Sequence, residues 1–497
     1  MPSASPRFFL AALSLAGAGA VLLATSGYGA GLSPDAVGYI GVARQLLAGQ
    51  GVSGYGGQPF VIQPPLYPAL LALFGWLGSW DPLAIAPVLN AALCGAVVFL
   101  SGQLFTRYRP LLGPMAPFGP ALALLSWPLF SVGVMAWSEP LFIAVGTGAL
   151  LCLGRHLETG GVGWLAAAAL GVGLACLTRY IGMAYLVAGG VLVLWGGVGP
   201  WGKRLWHLGL FGAIAGLPLV FWLGRNYALT GTWLGPRQAS THTLLENLGL
   251  TFAGLAGLWV PELLTPPRLL RLALGGGCAL GLAAAALFVV RLSQAGRAPL
   301  APLAPVAVWA AAYAGFLIAT STTTAYDDIN LRLLAPLHPA LSVLLLAGAG
   351  QLAAQGWPRV ARTGLAVLLL SSLAGVGTAL AEYVRHGAGS GTGADRYNTA
   401  PWRESETIRQ LCRHPLEGPV YSNAPEALYI LCGQEALLAP RRQPGAVWPS
   451  AGRLVWLNAV RRRYLLDPDQ ALGSGQLAVV SRFADGRVYE FLPEKEE

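Results

Sequence analysis

Residues 7–39 read RFFLAALSLAGAGAVLLATSGYGAGLSPDAVGY and set the pattern for the whole chain. One basic residue, Arg7, precedes about twenty apolar residues, which is long enough to cross a bilayer and long for a secretion signal. A carboxylate, Asp35, follows where the apolar run ends. We interpret the run as an uncleaved first transmembrane helix, with a cleaved signal peptide as the alternative, and Asp35 as a carboxylate at the membrane surface.

The composition is that of a membrane protein. The 497 residues are 55% hydrophobic and 11% charged, with a mean hydropathy of +0.58. Because soluble domains contain roughly 25% charged residues, this apolar excess indicates a bilayer environment. The formal charge of +9 could suggest nucleic acid. The basic residues are spread over short loops instead of one patch, which argues against that partner.

Apolar runs of the length that a bilayer requires occur about eleven times. They lie near residues 8–28, 83–106, 114–132, 140–155, 163–178, 181–199, 205–224, 270–291, 302–320, 331–353 and 362–383. The shorter apolar segment 66–79 follows two prolines and is predicted to be a helix at the membrane interface. The predicted fold class is an all-α polytopic membrane protein with a small α/β domain at its C-terminal end.

The distribution of charge gives a topology. With the N-terminus inside, the predicted cytoplasmic loops are basic, and eight of the nine acids before residue 384 fall on the opposite face. This is the positive-inside bias of membrane proteins. Residues 384–497 hold 13 of the 22 acids and then also lie outside. Within them we predict a helix over 404–413, strands near 420 and 477, and a hairpin turn at Asp485-Gly486.

Six cysteines are present, and four of them fall within predicted spans, where cysteine is usually a small hydrophobe. The other two, Cys412 and Cys432, lie in the predicted outer domain, which is an oxidising compartment in this topology. A disulfide between them is one interpretation. Two unpaired buried thiols are the other.

Acidic residues stand out at three places on the predicted outer face: Asp35 in the first loop, Glu139 between two spans, and Asp327-Asp328 before the tenth span. Asp35 or Ser33 could cap a helix, and Glu139 before a proline could begin one. Charges at a membrane edge are costly, so their occurrence on one face favours a functional site over separate caps.

Arginines are predicted near the outer ends of several spans. Four of them are Arg179, Arg225, Arg237 and Arg332. Arginine stays charged when it is buried and pairs bidentately with phosphate, so these residues are candidates for binding a phosphate. Snorkelling to lipid headgroups is the alternative.

Several function classes are disfavoured. The chain has no P-loop pattern, which argues against direct nucleotide hydrolysis, and no cysteine or histidine spacing typical of zinc sites. The predicted inner face is nearly without acids, which argues against an enzyme that uses nucleotide sugars in the cytosol.

Five motifs occur in an order that is known from one superfamily. They are Asp35-x-x-x-Tyr39, Pro64-Pro65-Leu66-Tyr67-Pro68, Ser138-Glu139-Pro140-Leu141-Phe142, Arg225-Asn226-Tyr227 with Gly231, and Arg332 with Pro336 and Pro339. With the topology, this order resembles the GT-C membrane glycosyltransferases. The resemblance is to bacterial relatives of the protein O-mannosyltransferases and of the aminoarabinose transferase that modifies lipid A. It covers a catalytic membrane module over residues 1–383 and leaves an extracytoplasmic α/β domain over 384–497.

The resemblance implies an inverting transferase with a polyprenyl-phosphate sugar as donor. Asp35 matches the first-loop acid thought to act as base, and Glu139 matches the position of a second acid in many members. Arg225, Arg237 and Arg332 fall where members hold the donor phosphate, and Arg179 is a fourth candidate for that role from its position in the sequence alone. Many relatives have two adjacent acids in the first loop, whereas Pro34 precedes Asp35 here, which argues against a metal at that position.

Further contacts with substrate are predicted for Tyr39, Gln63, Tyr67, Tyr326, Asp327 and Asp328. No cofactor is required, because arginines can neutralise a leaving phosphate; a divalent ion at Asp35 and Glu139 stays open. The predicted partners are the polyprenyl-phosphate sugar, an acceptor that is a lipid, glycan or protein, and membrane lipids, without nucleic acid.

The predicted function is transfer of a hexosyl or pentosyl group to an acceptor hydroxyl on the outer face of a bacterial plasma membrane. A flippase or transporter of a lipid-linked sugar is the alternative. Transporters often show inverted repeats and broken helices near mid-membrane, whereas the acids here gather at one face.

Overall fold

The structure, a computed structural model, describes residues 6–260, 302–325, 327–387, 396–442 and 447–492. The predicted span near 270–291 and the predicted site residue Tyr326 lie outside the described residues. Contacts along the chain divide it into two compact units. Unit 1 comprises Met1–Leu22, Val61–Tyr67 and Val88–Leu380, and unit 2 comprises Leu23–Phe60, Pro68–Pro87 and Ala381–Glu497.

The described chain up to His386 is mostly helical. Its α-helices are α1 (Pro6–Thr25), α2 (Pro34–Leu47), α3 (Leu66–Gly78), α4 (Pro82–Leu112), α5 (Phe118–Leu124), α6 (Trp127–Gly133), α7 (Glu139–Thr159), α8 (Val162–Thr178), α9 (Met183–Gly196), α10 (Trp201–Thr230), α11 (Leu244–Gly257), α12 (Ala304–Thr323), α13 (Leu331–Leu334), α14 (His338–Ala354) and α15 (Pro358–His386). Within the described residues, 7 helical segments are long and apolar enough to cross a membrane. Shorter apolar helices, α3, α8 and α9 among them, accompany these segments.

Two predicted spans are interrupted. The run near 114–132 forms α5 and α6, because the Ser126 side chain caps α6 and Pro128 occupies its first turn. The run near 331–353 forms α13, a three-ten turn and α14. Pro336 and Pro339 have no backbone N–H, so neither can continue a regular helix begun before it.

Helix α11 was not predicted. No span was predicted over residues 225–269, but α11 lies within them. It begins with a capping box, in which Thr243 and Glu246 each bond to the backbone of the other. The Thr-x-x-Glu spacing is a helix-start signal that is visible in the sequence.

Stacked aromatic side chains fill the core of unit 1. The ring of Tyr185 on α9 lies 5.1 Å from that of Phe142 on α7 and 4.2 Å from that of Trp309 on α12, between ring centroids. Gly146 permits this packing, since a Cβ there would lie 2.8 Å from the Tyr185 ring. These contacts join three helices at the level where α7 begins, which gives the start of α7 a rigid base.

A five-stranded mixed sheet lies in unit 2, with strand order β2-β1-β3-β5-β4. The strands are β1 (Val420–Ser422), β2 (Leu437–Leu438), β3 (Arg453–Leu457), β4 (Leu477–Arg482) and β5 (Gly486–Phe491). The helices are α16 (Ala400–Arg403), α17 (Glu406–Arg413), α18 (Pro425–Cys432) and α19 (Pro468–Gly473). Strands β1, β2 and β3 are parallel, and β3, β5 and β4 are antiparallel.

Most of the predicted elements of this portion are present, including the helix, both strands and the hairpin turn at Asp485-Gly486. Cys412, at the end of α17, and Cys432, at the end of α18, form a disulfide with their Cα atoms 4.8 Å apart. The predicted fold class, a helical polytopic membrane protein with a small α/β portion near its C-terminal end, is confirmed. The division into functional domains at residue 384 stays a prediction.

Candidate functional site

Glu139 is the centre of a buried ion-pair cluster in unit 1. It is the first residue of α7 and is 1% exposed. Nη1 of Arg179 lies 2.6 Å from its Oε1, and Nε of Arg332 donates a hydrogen bond to the same oxygen. A carboxylate is also favoured here because unpaired backbone N–H groups gather at a helix N-terminus. Glu139 is therefore a fixed acceptor shared by two arginines.

The two arginines reach this carboxylate because helices end or begin beside it. Arg179 follows the last residue of α8 with an extended backbone, φ −150° and ψ 136°, before the chain turns into α9. Arg332 lies in α13, where the side chain of Asn330 caps the helix and accepts the backbone N–H of Arg332 at 3.0 Å. The guanidinium carbon of Arg332 lies 3.9 Å from the ring centroid of Trp137, a cation–π contact.

The cluster gathers two guanidinium groups around one carboxylate. The side chains of Arg179 and Arg332 are only 18% and 13% exposed. Oε2 of Glu139 is buried and has no hydrogen-bond partner among the described residues. Guanidinium groups fixed close together have the donor geometry that suits a phosphate.

Asn90 fixes the backbone that leads into Glu139. Its Nδ2 donates to the carbonyl oxygens of Met135 and Trp137, and its Oδ1 accepts the hydroxyl of Tyr67 at 3.0 Å. Asn90 and Tyr67 are both fully buried. The hydroxyl of Tyr67 thus helps to position Asn90, and through it the backbone that precedes Glu139. Contact of Tyr67 with a substrate stays a prediction.

Tyr180, directly after Arg179, is the hub of a second group of polar contacts in unit 1. Its hydroxyl donates to the carbonyl oxygen of Val61 at 2.8 Å. The hydroxyl oxygen of Tyr180 in turn accepts hydrogen bonds from Nε1 of Trp222 and Nδ2 of Asn226, both at 3.0 Å. One short break between α8 and α9 therefore places Arg179 in the ion-pair cluster and Tyr180 in this hub.

The other two candidate arginines border the hub. The guanidinium carbon of Arg225 lies 4.6 Å from the ring centroid of Trp222, and Nη1 donates to Asn226 at 3.1 Å. Arg237 donates through Nη2 to the carbonyl oxygen of Ile62 at 2.7 Å, and its guanidinium carbon lies 5.9 Å from the Tyr180 ring centroid. Arg237 thereby holds the chain immediately before Gln63, which is itself partly exposed. Arg179 and Arg332 form one group, and Arg225 and Arg237 form the other.

The acidic pair before α13 lies at the surface of unit 1. The Asp328 side chain is 71% exposed, and its Oδ1 is 3.5 Å from Nε2 of His242. Asp327 precedes it and is also exposed. Substrate contact by either residue stays a prediction.

Asp35 lies in unit 2, in the first turn of α2. Ser33 caps this helix by accepting the backbone N–H of Ala36 on its Oγ at 3.3 Å, so Ser33 takes the capping role that the sequence left open between the two. Asp35 is partly exposed. Tyr39, one turn further on, is buried and meets the Phe60 ring edge to face with centroids 6.4 Å apart.

Asn398 fixes the segment that leads into α2, residues 28–32, through hydrogen bonds to its backbone. Its Nδ2 donates to the carbonyl oxygens of Tyr28 and Ala30 at 2.9 Å each, with a longer contact of 3.4 Å to Gly29. Its Oδ1 accepts the backbone N–H of Leu32 at 3.2 Å. The residue is 4% exposed. A single side chain from the C-terminal part of the chain thus fixes the backbone of 28–32.

The other end of α2 is fixed as well. Arg44 makes a bidentate pair with Asp81, at 2.9 and 3.0 Å. Its guanidinium carbon lies 5.6 Å from the ring centroid of Tyr429, which stacks on Tyr55 at 4.5 Å between centroids. Because Tyr429 belongs to α18, the C-terminal part of the chain contacts both ends of the segment that carries Asp35.

The chain was compared with known families, curated sequences and solved structures. No protein-family model matches it, and no curated protein sequence matches it either. The structures of ArnT from Cupriavidus metallidurans in the apo state and bound to undecaprenyl phosphate match with TM-scores of 0.60 and 0.58, both at 15% identity. They cover 95% and 98% of this chain and 96% and 98% of their own. The oligosaccharyltransferase of Archaeoglobus fulgidus, in complex with zinc and sulfate, matches with a TM-score of 0.53 at 12% identity, over 99% of this chain and 74% of its own.

This chain has the GT-C fold. The GT-C fold expected from the order of motifs is confirmed. The structural similarity covers more of the chain than the sequence motifs did. The sequence resemblance ended near residue 383, whereas the match to the undecaprenyl-phosphate-bound structure covers 98% of both chains. The α/β portion that contains Asn398 is therefore part of the shared architecture.

Three residues that position the candidate site of this GT-C protein were not identified from the sequence: Asn90, Tyr180 and Trp222. A fourth, Asn226, belonged to a motif but was given no role of its own. An uncharged polar residue near the end of a span carries little cost, so it gives a weaker signal than an arginine or a glutamate. No group of three or more metal-binding side chains occurs within the described ranges of the chain.

Proposed function

We propose that this protein is a membrane glycosyltransferase that takes a sugar from a lipid-linked donor. The observation that carries the proposal is the buried cluster in which Arg179 and Arg332 share the carboxylate of Glu139, in a chain with the GT-C fold. One structure with the same fold holds undecaprenyl phosphate. A polyprenyl phosphate is an anion on a lipid, which matches both the guanidinium groups of the cluster and the apolar helices around it.

The arginines are proposed to bind the donor phosphate and to stabilise it as it leaves. When the bond between the anomeric carbon and the phosphate oxygen breaks, the electron pair stays on the phosphate, whose negative charge increases. Positively charged groups fixed in advance lower the barrier to this step, because they need not reorganise during the reaction. Arg179 and Arg332 are fixed by the ion pairs with Glu139, and Arg225 and Arg237 are the further candidates.

Asp35 is proposed to act as the base. The acceptor oxygen forms the new bond to the anomeric carbon, its proton moves to the carboxylate of Asp35, and the lipid phosphate departs. A single displacement of this kind inverts the configuration at the anomeric carbon. Partial exposure suits the role, since a base must exchange its proton with solvent between turnovers. Asn398 positions the chain that leads into Asp35.

We assign Glu139 to the placement of the arginines, because its Oε1 already accepts hydrogen bonds from two of them. The reaction is proposed to occur on the extracytoplasmic face of a bacterial plasma membrane, with a lipid, glycan or protein as acceptor. The sugar is a hexosyl or pentosyl group.

The test is transfer of a radiolabelled sugar from a polyprenyl-phosphate donor by the purified full chain in membranes. Asp35→Asn keeps the size of the side chain and removes the base, so we expect transfer to fall by about 10²–10⁴-fold. Asp469→Asn is the matched control, since Asp469 is an exposed aspartate of unit 2 that pairs with Arg487 at 3.4 Å. Transfer by the control should stay within twofold of the unmodified chain.

The result also separates the enzyme from the alternative. A flippase would move labelled lipid between leaflets without joining the sugar to an acceptor, so label confined to the donor lipid would contradict the proposed transfer. Near-normal transfer by Asp35→Asn would leave the transferase in place and reject Asp35 as its base.

A further inference from the structure

An arginine-lined groove occurs in unit 2, and the proposed transfer reaction does not use it. The groove has a volume of about 370 Å³, within the ~300–1,000 Å³ range of small-molecule sites. Its described lining includes Arg403, Arg409 and Arg413, with an apolar floor that contains Trp402 and Leu431. No acidic residue is part of that lining.

The three arginines of this groove are not neutralised by carboxylates. Among the described residues, none of them takes part in an ion pair. Arg403 donates to the carbonyl oxygen of Tyr28 at 3.1 Å, and Nε of Arg409 donates to the carbonyl oxygen of Arg403 at 3.3 Å. Arg409 and Arg413 lie one helical turn apart on α17, so their guanidinium groups project from the same face. Three positive charges in one concave site favour an anion.

The position of the groove in the chain indicates a lipid as the source of that anion. Arg403 also places its guanidinium carbon 4.8 Å from the ring centroid of Tyr28, and Tyr28 lies three residues beyond the end of the candidate span α1. A Cβ on Gly387, the residue after the candidate span α15, would lie 2.9 Å from the same ring. Residues that closely follow two candidate spans therefore lie beside Arg403 of the groove, and lipid headgroups lie at the ends of spans.

We propose that this groove binds the phosphate of an anionic membrane lipid. The guanidinium groups contact the phosphate oxygens, and the apolar floor takes the first carbons of the lipid. The occupant is a phospholipid with net negative charge, such as phosphatidylglycerol. A zwitterionic phospholipid would place its own ammonium group among the three arginines, which disfavours its binding. None of the four candidate donor-binding arginines is part of the described lining of the groove, so the proposal stands without the transfer reaction.

The test is native mass spectrometry of the purified full chain titrated with short-chain phosphatidylglycerol or phosphatidylcholine. We expect one phosphatidylglycerol to bind more tightly than the rest, and phosphatidylcholine to show no such site. Each basic residue near a membrane surface contributes roughly a factor of five to the binding of anionic lipid, so Arg403→Gln with Arg409→Gln and Arg413→Gln should weaken that site by about 100-fold.

The matched control removes the same charge elsewhere in unit 2. Arg461, Arg463 and Arg482 are exposed and do not line the groove, and their triple change to Gln should alter binding by less than about threefold. Equal losses in the two triple variants would overturn the proposal, since they would show a general effect of charge. Displacement of phosphatidylglycerol by an equal concentration of inorganic phosphate would also overturn it, because the site would then bind a soluble anion.

A second variant guards against a failure to fold. Arg409→Gln with Arg413→Gln keeps the contacts of Arg403 with Tyr28, and it should weaken the site by about 20-fold. Unchanged binding by this double variant, at an unchanged melting temperature, would reject the groove as a lipid site.

Discussion

Glu139 in unit 1 is 1% exposed and is shared by two arginines, whereas Asp35 in unit 2 is partly exposed and lies in the first turn of a helix that Ser33 caps. The first carboxylate is held by ion pairs between side chains. The second follows a segment, residues 28–32, whose backbone Asn398 fixes. The difference separates two chemical tasks. A buried carboxylate shared by two guanidinium groups can hold them in place, whereas a carboxylate that reaches solvent can exchange a proton with water.

The largest effect on transfer is expected when the buried carboxylate of Glu139 is replaced by an amide. Glu139→Gln removes the carboxylate that two mostly buried guanidinium groups share, and losing one partner of a buried pair costs about 3 kcal/mol. The arginines then lose their placement, and we expect kcat/KM for transfer to fall by at least about 100-fold, or ~2.7 kcal/mol. Labelled-sugar transfer and thermal unfolding measure the two quantities.

Glu158→Gln is the control for that variant. Glu158 also pairs with two arginines, Arg107 at 2.8 Å and Arg155 at 3.5 Å, but its side chain is 53% exposed. An exposed pair contributes ~0–1 kcal/mol, so both transfer and stability should change little. If the two variants behaved alike, burial would not be what gives the Glu139 cluster its importance.

The same contrast shows what the sequence could reveal. Spans follow from the length and hydropathy of local segments, and Arg179, Glu139 and Arg332 each stood out because charge near a membrane is costly. Their pairing was not visible, because Glu139 and Arg332 are 193 residues apart and only the packing of helices brings them together. The sequence therefore supplied the members of the cluster but not its geometry.

The backbone clamp on the Asp35 segment was harder to foresee. Asn398 is an uncharged residue near the start of the C-terminal portion, and asparagine there has the ordinary meaning of a turn residue. Its contacts with residues 28–32 span more than 360 positions, as with the 366 between Leu32 and Asn398. By contrast, α11 had a local signal, the spacing of Thr243 and Glu246, and could have been found.

The second prediction tests the backbone clamp. Asn398→Ala removes the hydrogen bonds of Asn398 to residues 28–32, so the chain before Asp35 loosens, and we expect kcat to fall by roughly tenfold. The Michaelis constant for the donor should stay within twofold, since the candidate donor-binding arginines lie in unit 1. The pH below which the transfer rate falls should also shift, because it reports protonation of the proposed base, Asp35, whose surroundings change in this variant.

Asn458→Ala is the matched control, since Asn458 is an exposed asparagine of the same unit, and it should leave all three measurements unchanged. A fall in kcat with an unmoved pH profile would mean that Asn398 only maintains the fraction of folded protein. That outcome would remove the link between Asn398 and Asp35.

The third prediction concerns the disulfide of unit 2, which lies between the helices α17 and α18. Cys412→Ser with Cys432→Ser opens a loop closed over a sequence separation of 20 residues, and the loop-entropy relation gives a loss of about 3 kcal/mol in the stability of this portion. Because Tyr429 on α18 contacts Arg44 and Tyr55, transfer should fall by about threefold near the melting temperature and little at 25 °C.

Cys152→Ala, at a free cysteine of unit 1, is the control for the loss of the disulfide. An unchanged melting temperature without the disulfide would show that α17 and α18 are held by packing.

The smallest effect is expected at Asp485, a partly exposed carboxylate of unit 2 with no proposed part in transfer. It accepts the Oγ1–H of Thr407 at 2.6 Å and the backbone N–H of the same residue at 3.1 Å, which ties the β4–β5 hairpin to the start of α17. Burial by itself would raise the pKa of Asp485, but hydrogen bonds from Ser405 and Thr407 outweigh it and the pKa is lowered.

A carboxyl group with a lowered pKa adds stability above about pH 4, the ordinary value, and loses that contribution as the pH falls through its folded-state pKa. Asp485→Ala should therefore lower stability by ~0.5–1 kcal/mol at pH 7, as for a partly exposed helix cap, and by less at about pH 3. Thermal unfolding at the two pH values measures this, and transfer at pH 7 should be unchanged. A stability difference that stayed constant down to pH 3 would assign the effect to packing of the hairpin instead of to the charge of Asp485.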